Sequence, residues 1–187
     1  MVDIELRSVD EVFALFADRG GRNYGERITM TEHALQSAAC ARAAGAPDAL
    51  IAAALLHDVG HLVADVQGTT RAELSRDDDD HEAIGGRLLA RLFGPAVAQP
   101  VALHVTAKRW RCTVDPNYHD QLSPTSQATL IAQGGLLDAD SCRRFEAHPG
   151  SADALALRDF DDGGKVIGWE VDDLESYRPL LERLALR

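Results

Sequence analysis

Leu56-His57-Asp58-Val59-Gly60-His61 is the stretch whose reading decides the fold. It closes a run, Ala49 to His57, so apolar that the helix carrying it belongs at the centre of the molecule. It also sets three groups able to ligate a metal at that helix's end. On one continuous helix ending at Gly60, His57 and His61 are four residues apart and share a face, while Asp58 is turned by about 100° from His57. A carboxylate beside an imidazole there can bridge two ions. Histidines near a C-terminal glycine also suit the helix dipole without any metal, so HDxxH alone does not separate a cap from a ligand set. The other histidines do.

Outward from this stretch the chain is punctuated for helices, and alternating β-branched runs are nearly absent. Ser8 with Glu11 makes a capping box opening a helix to about Ala17, and Thr29 with Glu32 opens another to about Ala44, before Gly45. Pro47 suits the first turn of the apolar helix. Thr69 to Asp80, with aspartates from Asp77 to Asp80, reads as a solvated acidic loop. Asp80 is placed to N-cap a helix from His81 to Phe93, which Gly94 and Pro95 terminate. Pro100 marks the start, or a kink, of a helix through about Arg111. Asp115 to Pro124 reads as loop. Ser123-Pro124 opens a helix to about Gln133, and helices follow over Asp138 to His148, Ser151 to Asp161 and about Leu174 to Leu186. The expectation is an all-α bundle forming a single domain over 1–187.

Composition limits the partners. A chain of 187 residues with 45% hydrophobic content can bury a sizeable core. The net charge of -11, with 19 dispersed Lys and Arg, argues against nucleic acid, which needs a basic stripe. A small anionic substrate stays possible where a few cations converge. Cys40, Cys112 and Cys142 have no paired spacing, which argues against a disulfide framework or a thiolate zinc site. The N-terminus lacks an apolar signal region and no segment reaches membrane-spanning length, so the chain reads as cytoplasmic.

Histidines 33, 57, 61, 81 and 104 fall on the expected helices, where polar residues are rare. Each alone is more simply a core or capping residue. With Asp58 and a late aspartate they supply imidazole nitrogens and carboxylate oxygens, a set that suits iron, manganese or zinc. The spacing resembles the HD-domain superfamily of metal-dependent phosphohydrolases, an all-helical fold, with His33, the pair His57-Asp58 and Asp161 at the matching positions. His81 and His104 match the additional ligands of binuclear members. The resemblance therefore implies a central dimetal site: one ion on His33, His57, Asp58 and Asp161, the other on Asp58, His81 and His104, with Asp58 bridging.

Lys108 lies one turn after His104, and Arg158 three residues before Asp161, so both cations are phased toward the ligands. Asn23-Tyr24-Gly25-Glu26 precedes His33 by a short loop, and Ser126 and Gln127 stand at a helix start. From about Tyr24 to Asp161 the chain is similar to the small HD-domain mixed-valent di-iron oxygenases that cleave carbon–phosphorus bonds. That resemblance implies two iron ions, Fe(II) and Fe(III), with dioxygen as co-substrate and a small 1-hydroxyphosphonate as substrate. It names 2-amino-1-hydroxyethylphosphonate, converted to glycine and phosphate. His61, Lys108, Ser126 and Arg158 would bind the phosphonate, Glu26 the substrate ammonium, and Tyr24 would act as a lid; Tyr24, Glu26 and His61 are the implied catalytic residues. The Tyr24 to Glu26 spacing departs from the family's. Two alternatives use the same ligands: a phosphohydrolase acting on a phosphate ester, and an oxygenase for the trimethylated-amine hydroxyphosphonate. The oligomeric state is not legible.

Overall fold

The computed structural model describes residues 5–23, 27–64 and 80–186. Among them are eleven α-helices: α1 Val9–Arg19, α2 Met30–Ala43, α3 Asp48–Leu56, α4 Val59–Ala64, α5 His81–Phe93, α6 Pro95–Val114, α7 Pro116–Gln121, α8 Pro124–Ala132, α9 Ala139–Glu146, α10 Ser151–Gly163 and α11 Arg178–Leu184, with a 3-10 turn at Leu174–Tyr177. The expected all-α class holds. Within these residues no helix is long and apolar enough to cross a membrane.

Helix α3 is the axis of the bundle. Every residue from Leu50 to Leu56 is buried, and it packs against α2, α6, α10 and α11. Full burial of a leucine or isoleucine side chain contributes roughly 1.5–3 kcal/mol. The run Leu50, Ile51, Leu55 and Leu56 therefore offsets the cost of seating the polar residues that follow it.

Local signals set several helix starts. Thr29 and Glu32 form the full capping box: Glu32 N–H donates to Thr29 Oγ1 at 3.1 Å and Thr29 N–H to Glu32 Oε2 at 2.6 Å. Ser8, Ser123 and Asp138 likewise accept from the N–H three residues on.

Four local expectations are corrected. The apolar helix stops at Leu56, the chain turns through His57 and Asp58, and α4 restarts at Val59, so Gly60 lies inside a helix. His57 and His61 thus do not share one continuous helical face. Gly60 serves the crossing of α4 over α5: a Cβ there would sit 1.9 Å from the His81 carbonyl oxygen. Second, α6 starts at Pro95 with Pro100 inside it, because Gly94 at φ 77° ends α5 and also opens the next helix. Third, Asp115 caps Asn117 N–H ahead of Pro116, making the short α7 where loop was expected. Fourth, Asp80 precedes α5 at φ 48°, and its side chain makes no capping bond, which would need extended backbone. The acidic residues 69–79 lie outside the described residues.

Candidate metal centre

The turn after α3 throws His57 and Asp58 inward, α2 contributes His33, α5 and α6 contribute His81 and His104, and α10 contributes Asp161. All six side chains are buried. Three imidazoles are oriented by backbone carbonyls that can only accept: His33 Nδ1 donates to Gly164 O at 2.7 Å, His57 Nδ1 to Ala54 O at 2.9 Å and His104 Nδ1 to Val101 O at 2.7 Å. His81 Nδ1 stands 3.5 Å from Glu82 Oε2. With the proton on Nδ1, each neutral ring turns an Nε2 lone pair inward.

Those nitrogens then face one another. His33 Nε2 is 3.1 Å from His57 Nε2, and His81 Nε2 is 3.2 Å from His104 Nε2. Lone pairs opposed at this range repel unless a cation lies between them. Asp58 divides its oxygens between the pairs: Oδ2 is 3.7 Å from His33 Nε2 and 3.4 Å from His57 Nε2, while Oδ1 is 3.6 Å from His81 Nε2 and 3.8 Å from His104 Nε2. Asp161 closes the first set, with Oδ1 3.3 Å from His33 Nε2 and Oδ2 3.9 Å from His57 Nε2. Two ligands at ~2.1 Å from one ion and at right angles stand ~3.0 Å apart, so these gaps suit a metal's neighbouring ligands. Asp58 Oδ2 is also buried without a hydrogen-bond partner. Opposed nitrogens and an orphaned oxygen of the carboxylate between them fit a pair of cations.

The electrostatics agree. Burial pushes His57 down, and burial together with His81 and His57 holds His104 well below its ordinary range, so both rings are neutral. Burial alone would raise the Asp58 carboxyl, but the surrounding imidazoles hold it well below the usual carboxylate range. At Asp161, Arg158 and Lys165 overcome burial in the same direction. Both carboxylates are ionised.

His61 takes a different place, its ring stacked on that of His81 with centroids 3.8 Å apart. Its nitrogen also comes within ligand range of Asp58 and His81.

Beyond Asp161 lies a cationic pole. Lys108, buried on α6, donates from Nζ to Thr129 Oγ1 at 3.0 Å. Burial and the neighbouring Arg158 push its ammonium down to about 7. Arg158 is buried and bonded to carboxylates: Nη1 donates to Asp161 Oδ2 at 2.5 Å, Nη2 to Asp162 Oδ1, and Nε to Asp162 Oδ2 and Tyr118 Oη. Guanidinium carries five N–H donors, so Nη1 and Nη2 each retain a second N–H. Ser126 is buried at the start of α8. Tyr24 and Glu26 lie outside the described residues.

Residues not anticipated from the sequence complete this pole. Lys165 Nζ lies 3.1 Å from Asp161 Oδ1 and donates to Ser126 Oγ at 3.2 Å. Gln36, one turn after His33, clamps the chain beyond α10: its Nε2 donates to Val166 O at 2.8 Å and its Oε1 accepts from Val166 N–H at 2.9 Å. The spacing of Lys165 four residues past Asp161 was a usable signal. The Gln36 clamp spans 130 residues and left none.

Residues 30–140 match the HD domain family. The chain is 41% identical over 174 residues to a hydroxymethylphosphonate dioxygenase of Gimesia maris, covering 93% of this chain and 86% of that one. It is 35% identical over 180 residues to a 1-hydroxy-2-(trimethylamino)ethylphosphonate dioxygenase (glycine-betaine-forming) of Leisingera caerulea, covering 94% and 89%. A third relative, uncharacterized protein L432 of Acanthamoeba polyphaga mimivirus, is 32% identical over 178 residues, covering 94% and 81%.

Proposed function

The chain belongs to the HD-domain family and is an oxygenase that cleaves the carbon–phosphorus bond of hydroxyphosphonates, and from that premise we propose the metal, the residues and the substrate. The metal is a pair of irons, one on His33, His57, Asp58 and Asp161 and the other on Asp58, His81 and His104. Two opposed imidazole pairs sharing one carboxylate carry this reading. When bound, the pair would supply dioxygen activation and Lewis-acid binding of the substrate's hydroxyl and phosphonate oxygens.

The chain's own groups hold the substrate. Lys108, Ser126 and the remaining N–H groups of Arg158 bind the phosphonate oxygens, where charge-assisted donors are strongest. His61 stands on the His81 side to donate to the same group. Tyr24 as lid and Glu26 as partner of an amine complete the proposal.

The substrate is a small 1-hydroxyphosphonate. Hydroxymethylphosphonate is supported by the relative at 41% identity; 2-amino-1-hydroxyethylphosphonate, which would give glycine and phosphate, rests on Glu26. Iron-loaded protein is to be offered both compounds, the trimethylated one and a phosphate monoester, with free phosphate assayed. Release from a hydroxyphosphonate and none from the ester is the expected result; ester hydrolysis alone would restore the phosphohydrolase. EPR of the half-oxidised protein should show two coupled irons whose signal changes when substrate is added.

A further inference from the structure

We propose that Lys165 is a third cation of the phosphonate site, binding an oxyanion oxygen together with Ser126 and Lys108. The proposal rests on the hydroxyphosphonate reading above and adds a residue to it.

The backbone around Lys165 is fixed on both sides. Gly164 packs so closely on α2 that a Cβ would lie 2.4 Å from Ser37 Oγ and 2.8 Å from Ser37 N. Its carbonyl accepts from His33, and the next residue but one is held by Gln36 through both its N–H and its carbonyl. This geometry turns the Lys165 side chain inward, where it is only 12% exposed. An ammonium withdrawn from water needs compensating charge. Its nearest carboxylate, Asp161, is shared with Arg158 and is the same group assigned to a metal.

Charge at this pole does not balance. Lys108, Arg158 and Lys165 face Asp161 and Asp162, one of which is committed to the metal centre. The cationic surplus is felt at Lys108, which is disfavoured as an ammonium by burial and by both neighbouring cations. A doubly charged phosphonate among the three would relieve it. Ser126 supplies direction: its Oγ accepts from Lys165, so its single O–H is turned to donate elsewhere. Lys165, Ser126 and Lys108, the last through Thr129 on the same helix as Ser126, thus form one connected donor array.

The competing role is that Lys165 merely positions Asp161 for the metal. Lys165→Met in the iron-loaded enzyme separates the two when iron per chain, the dissociation constant for inorganic phosphate and the KM for hydroxymethylphosphonate are measured together. Losing one charge-assisted contact should raise the phosphate dissociation constant and the KM by roughly tenfold or more, with a smaller change in kcat and iron at the wild-type level. Lys165→Arg should recover affinity to within about threefold, because charge and reach are kept. Where Lys165→Met does not fold, Lys165→Gln keeps a donor without the charge and is read in the same way. Unchanged phosphate affinity in the neutral variant overturns the proposal, as does loss of iron with normal phosphate affinity in the loaded fraction. A wild type that binds phosphate through Lys165 but releases none from a hydroxyphosphonate refutes the substrate reading and leaves the oxyanion site standing.

Discussion

At one end of the site, imidazole nitrogens and the oxygens of two ionised carboxylates face each other at close range; at the other, a few ångströms past Asp161, three cations crowd against carboxylates and hydroxyls. The first is an arrangement short of positive charge, the second one with positive charge to spare. Asp161 belongs to both, with one face toward His33 and His57 and the other toward Arg158 and Lys165. A substrate carrying a metal-chelating hydroxyl beside a dianionic phosphonate matches this polarity end for end. A neutral or cationic ligand would match only half of it.

Breaking the metal end should have the largest effect. Asp58 alone among the described residues presents one oxygen to each imidazole pair. Asp58→Ala should therefore lose both irons and lower phosphate release by more than ~1000-fold, as expected when a metal's several kcal/mol of stabilisation disappears. Metal analysis checks it: two irons retained in this variant would dissolve the bridging assignment.

Next in size is the support behind the ligands. In Gly164→Ala the added methyl meets Ser37, so the carbonyl that orients His33 must move. Loss of such a partner typically costs ~10–100-fold in metal affinity. A chelator competition titration reads it directly, and the alanine variant should release iron at a lower chelator concentration than the wild type.

The cationic end should respond more gently, and to pH. Lys108 has a folded value of about 7 against 10.5 for an unperturbed lysine, so between these values the unfolded chain binds the additional proton and stability rises with pH. Below pH 7 the penalty of the buried ammonium is fully present. Metal-free Lys108→Met should accordingly unfold at a higher temperature than the wild type at pH 6, with the difference shrinking toward pH 10. Sulfate, whose charge is fixed over this range, should bind the wild type less well as pH rises through about 7. The methionine variant should bind it weakly throughout.

Sequence made the metal end far more legible than the cationic end, for a physical reason. Helix starts such as Thr29 with Glu32 are local contracts between residues three apart, and they appear in the structure as read. Buried histidines and aspartates are rare enough that their order along the chain points to a ligand set, and the six named residues do come together. A lysine's ordinary place is in solvent, so the four-residue spacing of Lys165 from Asp161 was a weaker signal, and what turns its side chain inward is a clamp from Gln36 on a helix distant in sequence. The turn at His57-Asp58 escaped for a related reason: an apolar run with a glycine beyond it looks like one helix, and the close approach of Gly60 to His81 is a tertiary contact that the local pattern does not carry.

The central claim is that an iron pair between these poles uses dioxygen to cleave a carbon–phosphorus bond. Purified iron-loaded protein, given hydroxymethylphosphonate and 2-amino-1-hydroxyethylphosphonate in parallel under air and under nitrogen, should release phosphate from at least one of them only when dioxygen is present. Equal release under nitrogen, or release from neither compound in air, would contradict it.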